Sequence, residues 1–382
     1  MRGASRVLLV AAITGSLGVL LTGVLRPGVS DAPDPPLVTD ATLNTSGGAP
    51  PGTPASMPPA WSAAHAIAAA AQSARPQAAE AAPEAPVPAP DAAPQASTPG
   101  EMDSPAAQAA PAADAPHDAA AADPLEIGGL IEDAALAALV QQHLAPLRGV
   151  FGVAIKDLDS GRGVLINADR MLPAASLFKL AVMYEVFRQH DAGQLQLTER
   201  LTLSAHYAQY DLGTLDLPVG SVLSIQDALE RMITRSDNST ANLLLDRVGV
   251  ANVNATMRAL GLEATRIARE QLTTSAHDML RLLERIARGQ GPSAASSAAM
   301  LQLLLAQRVN DRLPAQLPPG TPVAHKTGNL PGIVHDVGIV YAPGATFVIA
   351  LLAAEAPEVG AVTQAEATLA RAVYDYFTPA AP

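Results

Sequence analysis

From Pro27 to Pro124 the chain is dominated by alanine and proline, with eleven acidic residues scattered among them and Arg75 as the sole lysine or arginine. Such a segment, with a single tryptophan at Trp61, has too little apolar surface to offset the entropy of ordering it. It therefore reads as an unstructured, partly extended spacer over residues 27–124. This confines any hydrophobic core to residues 125–382, which is ample for one large domain. Most of the formal net charge of −12 also belongs to the spacer rather than to a folded surface. No basic patch with interleaved aromatic residues marks a nucleic-acid partner.

Ahead of the spacer, residues 1–26 begin MRGASR and continue with nineteen uncharged residues, positions 7–25, before Arg26. That run is long enough to cross a hydrocarbon core of about 30 Å. Its basic head favours a cytoplasmic N-terminus. Its length, and the lack of a clear A-x-A cleavage site, favour an uncleaved signal-anchor over a cleaved signal peptide. Both readings deliver the rest of the chain outside the cytoplasm, periplasmic or at the cell surface. The chain has no cysteine, so neither a lipidated Cys nor a disulfide is available.

Within 125–382 the hydrophobic periodicity changes twice. Residues 130–144 carry apolar positions at helical spacing, and 150–169 read as two strands joined by a turn at Asp159, Ser160 and Gly161. From about 196 to 310 the pattern is mostly helical. Strands return over 321–328, 333–344 and 345–355, with a turn expected from Gly328 to Gly332, and a last helix spans about 360–377. Strands at both ends and helices in the middle predict an α/β (α+β) fold. It would comprise one antiparallel five-stranded sheet, flanked by terminal helices, with an inserted all-helical subdomain. The cleft between sheet and subdomain is the expected site.

Three polar patterns interrupt this layout. In 176-SLFK-179, Ser176 and Lys179 share one face at the start of an otherwise apolar helix. Free N–H groups and the positive dipole end favour negative charge there. Lys179 is one of only three lysines in the chain. A buried ammonium must find partners or give up its proton, and a readily deprotonated amine beside a hydroxyl is what an activated nucleophile needs. Next, 236-SDN-238 precedes a helix, and 326-KTG-328 closes a β-pattern. Each pattern alone is commonplace, since caps and strand ends look like this.

Together and in this order, S-x-x-K, S-D-N and K-T-G form the set found in class A β-lactamases and penicillin-binding proteins. Residues from about 130 to 377 resemble that penicillin-recognising serine hydrolase family. The resemblance implies Ser176 as the acylated nucleophile and Lys179 as its base, with Ser236 and Lys326 moving a proton to the leaving nitrogen. It implies that Asn238 holds the substrate's amide side chain and that Thr327, with Ser236, holds its carboxylate. Gly328 and Asn329 complete the substrate-binding strand, with the N–H groups of Ser176 and Asn329 as the oxyanion hole. Asp237 and Asp336 are expected in structural roles. The family's E-x-x-L-N loop departs here: in 264-ATRIAREQLTTSAHDML-280, Glu270 stands near the glutamate's place, while Thr273 and Thr274 replace Leu and Asn. The loop also reads about ten residues short.

The resemblance thus implies a β-lactam-opening enzyme that releases its acyl group slowly. A D,D-peptidase or esterase acting on peptidoglycan-like peptides stands as the alternative. A non-catalytic cell-wall-binding module is disfavoured because Ser176, Lys179, Ser236 and Lys326 are all present. The expected partner is a small β-lactam or a peptidoglycan-derived peptide, with a monomeric protein held to the membrane by residues 7–25. No cofactor is called for. His325 and His335 flank K-T-G but lack neighbours at metal-ligand spacing, so no metal site is expected. Tyr207 and Tyr210 are read as packing residues.

Overall fold

The computed structural model of the chain describes residues 129–268 and 271–378. The predicted membrane segment, the spacer and Glu270 lie outside the described residues. Among the described residues, no helix is long and apolar enough to cross a membrane.

The chain enters through β1 (Ile131–Glu132) and α1 (Ala134–Leu144), whose N-terminus Asp133 caps by accepting the Leu136 N–H at 3.1 Å. Strands β2 (Val150–Asp157) and β3 (Arg162–Ile166) follow as an antiparallel pair. After β4 (Leu172–Pro173), a 3₁₀ turn at Ala175–Leu177 leads into α2 (Phe178–Asp191). Every residue from Phe178 to Phe187 in α2 is buried, so this helix is enclosed on all sides rather than laid on a surface. The middle of the chain then supplies β5 (Arg200–Thr202), α3 (Ala205–Ala208), β6 (Val222–Ser224), α4 (Ile225–Thr234), α5 (Asn238–Val248) and α6 (Val250–Ala259). Next come β7 (Arg266–Ile267), β8 (Leu272–Thr274), α7 (Ala276–Ala287) and α8 (Ala294–Leu305). The C-terminal part is β9 (Val323–Leu330), β10 (Ile333–Ala342), β11 (Ala345–Ala354) and α9 (Val359–Phe377).

The main sheet runs β1-β3-β2-β11-β10-β9. The last strand, β11, therefore lies at the centre, paired with β2 on one side and β10 on the other. All ten residues of β11 are buried, as befits a strand covered on both faces. One core fills the space between the sheet and the helical subdomain around α2. A second lies behind the sheet, where Leu136, Val140, Leu369 and Val373 of α1 and α9 meet Val153, Ile155, Phe347 and Ile349.

This is the α/β architecture expected, with two corrections. The sheet has six strands rather than five, because Ile131–Glu132 adds a short parallel edge to β3. The turn expected from Gly328 to Gly332 is tighter: β9 continues through Gly328 to Leu330 and pairs with β10 as far as Leu330 with Ile333, leaving Pro331 and Gly332 between them. K-T-G thus lies within a strand, not at its end. Two small sheets, β4-β8-β7 and β5-β6, were also unforeseen. Strands of two or three residues carry too little pattern to register as a period.

A buried ion cluster bolts α7 to the sheet. Lys156 of β2 donates to both Glu284 carboxylate oxygens at 2.9 and 3.0 Å, and Arg288 Nε donates to the same carboxylate at 2.9 Å. Glu284 is fully buried and Lys156 is 2% exposed. Removing one member of such a pair costs more than replacing both with apolar residues, because the surviving charge stays buried. Glu284→Ala is expected to lower stability by about 3–5 kcal/mol. Urea unfolding of the Lys156→Met/Glu284→Leu double variant should recover most of that loss.

Candidate active site

Ser176 occupies the 3₁₀ turn ahead of α2, and the residue before it, Ala175, has φ 45°. A left-handed alanine is strained, and survives only where its surroundings over-determine it. Those surroundings are visible: the Ala174 N–H donates to Leu272 O of β8 at 2.7 Å, and the Leu177 N–H to Ala174 O at 2.9 Å. One turn on, Lys179 carries its ammonium nitrogen into a ring of oxygens. Nζ lies 3.1 Å from Ser176 Oγ, 3.1 Å from Ser236 Oγ, 2.5 Å from Ser236 O and 2.7 Å from Asn238 Oδ1.

Ser236 and Asn238 come from the elbow between α4 and α5. Ser236 has φ 60°, which turns the chain sharply and brings both its carbonyl and its hydroxyl to Lys179. Asp237 holds that elbow, accepting the Thr240 N–H at 2.7 Å and the Thr240 hydroxyl at 2.8 Å as the cap of α5. Thr214 donates its hydroxyl to the other Asp237 oxygen at 3.1 Å, which pins the preceding loop to the elbow. From the opposite side, Lys326 Nζ of β9 donates to Ser236 Oγ at 2.9 Å and to Thr327 O at 2.8 Å.

The structure therefore brings Ser176, Lys179, Ser236, Asn238 and Lys326 into one cluster, where the two lysines are fully buried and the serine hydroxyls are only half-buried. Gly328 stands beside the turn that carries Ser176: a Cβ placed on it would come within 3.4 Å of the Ala175 methyl. Thr327 is buried and enters the cluster through its carbonyl, while Asn329 is the next residue but one along β9, with an exposed side chain. Thr273 and Thr274 belong not to a loop but to the small sheet: Leu172 pairs with Thr274 and Pro173 with Thr273. Their hydroxyls are used there, Thr273 donating to Ala264 O at 2.9 Å and Thr274 sharing a 2.9 Å bond with Thr265. Tyr207 packs its ring edge-on to His206 and donates its hydroxyl to Asp246 at 3.2 Å.

Behind β9, sequence reasoning expected Asp336 in a structural role but missed its pairing with His325, and it missed Arg312 altogether. His325 Nδ1 donates to Asp336, 2.9 and 3.1 Å from its two oxygens, and the Leu313 N–H donates to that carboxylate at 3.1 Å. His325 has room because Gly338 lies opposite, where a Cβ would stand 2.7 Å from the histidine Cβ. Arg312 is buried nearby, its Nε 3.9 Å from Glu366. Considered as metal candidates alone, the histidines gave no hint of these partners, and nothing in the local sequence distinguishes Arg312.

Burial sets the protonation of the cluster. It holds the Lys179 amine well below the ordinary lysine range; the nearby Lys326 charge adds to this and Asp237 opposes it. Lys326 is brought down to about 7, again by burial, with Asp336 pulling up and Arg312 pushing further down. An unfolded lysine keeps its proton to about 10.5, so folding gains stability as pH rises from about 7 to 10.5 through Lys326. With three lysines in the chain, lysine-selective ¹³C NMR can read them individually. One Cε signal is expected to titrate near pH 7 and to vanish in Lys326→Met.

Fold and site together define an α/β protein that gathers two serine hydroxyls and two desolvated lysines in one cluster. The chain belongs to the beta-lactamase enzyme family, whose model matches residues 133–377. Similar solved structures include a beta-lactamase from Sphaerobacter thermophilus DSM 20745. It is 30% identical, covering 65% of this chain and 98% of that one, with a TM-score of 0.60. PBP-A is 30% identical over 66% of this chain and 98% of its own, with a TM-score of 0.61, and a PBP-A mutant is known as an acyl-enzyme complex with penicillin G. An ancestral class A beta-lactamase is 27% identical over 63% of this chain and all of its own, with a TM-score of 0.59.

Proposed function

We propose that this chain is a serine hydrolase that opens β-lactam amides through an acyl-enzyme on Ser176. The observation that carries the reading is the setting of Lys179. In its neutral form the amine keeps two N–H bonds for the carbonyl oxygens of Ser236 and Asn238, at 2.5 and 2.7 Å. Its lone pair is then left for the Ser176 hydroxyl at 3.1 Å. Lys179 takes the hydroxyl proton as Oγ attacks the lactam carbonyl, giving a tetrahedral oxyanion that faces the N–H groups of Ser176 and Asn329. The C–N bond breaks, and the leaving nitrogen takes the Ser236 Oγ proton while Lys179, 3.1 Å from that oxygen, returns to it the proton received from Ser176. Lys326, 2.9 Å from that oxygen, supports the transfer and supplies positive potential for the substrate carboxylate, beside Thr327. Asn238 would face the amide side chain.

Hydrolysis of the acyl-enzyme needs a placed water. With Thr273 and Thr274 in place of the family's Leu and Asn, and their hydroxyls engaged within the small sheet, turnover is expected to lag behind acylation. Glu270 is the candidate base for that step. The same proposal puts the enzyme outside the cytoplasm, tethered by residues 7–25.

Mass spectrometry after mixing with penicillin G should find one adduct, on Ser176. Lys179→Ala is expected to slow its formation by about 100- to 10,000-fold, while Glu270→Ala changes only its decay. An unaltered protein that acquires no adduct would refute the proposal. Steady turnover of a chromogenic cephalosporin, with no burst, would refute the slow-release part of it.

A further inference from the structure

His335 lies on β10, fully buried, directly opposite Gly328 of K-T-G. Its ring reaches past β9 to the segment that carries the nucleophile. Nε2 lies 2.8 Å from Pro173 O. Nδ1 lies 2.8 Å from Val334 O and 3.1 Å from the Ala353 N of β11. An N–H can only donate, so Nδ1 accepts from Ala353 and the proton of the neutral ring is assigned to Nε2, facing Pro173 O. Burial keeps the ring below the usual histidine range and therefore neutral at pH 7, with the Pro173 and Val334 carbonyls opposing and Arg312 assisting.

Three contacts converge here. A Cβ on Gly328 would sit 3.3 Å from the Cβ and Cδ2 of His335 and 3.4 Å from the Ala175 methyl, so the glycine backbone is sandwiched between imidazole and nucleophile turn. The imidazole N–H holds Pro173 O, two residues before the strained Ala175 and three before Ser176. Its other nitrogen ties both to the central strand. One side chain thus meets β9, β11 and the 173–176 segment at once.

On this basis, and resting on the acyl-enzyme reading above, we propose that His335 is a positioning residue. It sets the gap between the turn bearing Ser176 and the strand bearing Asn329, and so the separation of the two N–H groups that receive the oxyanion. Its chemistry is spent on the main chain, and it touches no substrate. Misplacing an oxyanion donor by about an ångström costs on the order of 100-fold in rate without a matching loss of ground-state binding.

Two amide substitutions separate this from a merely structural histidine. A glutamine side chain in place of the imidazole can reach Pro173 O with its terminal N–H, as Nε2 does, whereas asparagine is too short. His335→Asn is therefore expected to slow acylation by penicillin G at saturation about 10- to 100-fold, with the half-saturating concentration changed less than about threefold. His335→Gln should return the rate to within about fivefold of the unaltered protein. Equal acylation rates for His335→Asn, His335→Gln and the unaltered protein would overturn the assignment while leaving the acyl-enzyme reading intact. An unaltered protein without an adduct would overturn both. Should the variants fail to fold, ¹⁵N-histidine NMR of the unaltered protein decides: a protonated Nε2 whose resonance moves on acylation supports the role, and an unprotonated or unmoved Nε2 refutes it.

Discussion

The arrangement rests on one buried amine. Lys179 is enclosed by α2, the Ser236 elbow and β9, and it is tolerable there only because four oxygens surround its nitrogen. Burying an unpaired ammonium costs far more than any single packing contact returns. The fold answers that cost with acceptors of unequal strength: a main-chain carbonyl and an amide oxygen hold the nitrogen, and two hydroxyls share what remains. Because the serines are less well bonded to it than the carbonyls, the neutral amine's lone pair is left facing a hydroxyl. The proposed reactivity is thus a by-product of how the buried amine is accommodated.

Around that centre, strain and desolvation accumulate. Ala175 and Ser236 both adopt left-handed backbone angles, and Lys326 is buried as completely as Lys179. Each such feature costs of order 1–3 kcal/mol or more. They are held by two extensive apolar cores on either face of the sheet and by caps such as Asp237 on α5. The Lys156–Glu284 cluster shows the same economy away from the site: its buried charges fasten one layer to another.

What could be read from the sequence follows the range of the interactions involved. Ser176 and Lys179 are legible as a pair because helix geometry alone brings them together. The long helices and β2, β3, β10 and β11 are legible because their apolar periods are long. That Lys179 and Lys326 meet the same Ser236 hydroxyl is a tertiary fact, reachable from sequence only through likeness to a known family. The joining pieces were invisible. Strands β4, β7 and β8 are two or three residues long, and β1 pairs parallel with a strand thirty residues on. His335 looked like a stray histidine because its partners, Pro173 O and Ala353 N–H, are main-chain groups that any residue possesses. The glycine of K-T-G acquires its reason only once the imidazole on one side and Ala175 on the other are in view.

The position of β11 has an implication for biosynthesis. Strands β2 and β3 emerge early, β9 and β10 late, and no strand pairs the two groups until β11 slots between β2 and β10. Every proposed reacting side chain precedes residue 330, yet the sheet that frames them closes only with residues 345–354. A ribosome stalled, or a reading frame ended, anywhere between those points would release a polypeptide holding every one of those side chains without the closed sheet that frames them. Assembly is therefore an end-of-translation event, with two half-sheets exposing their edges until it happens.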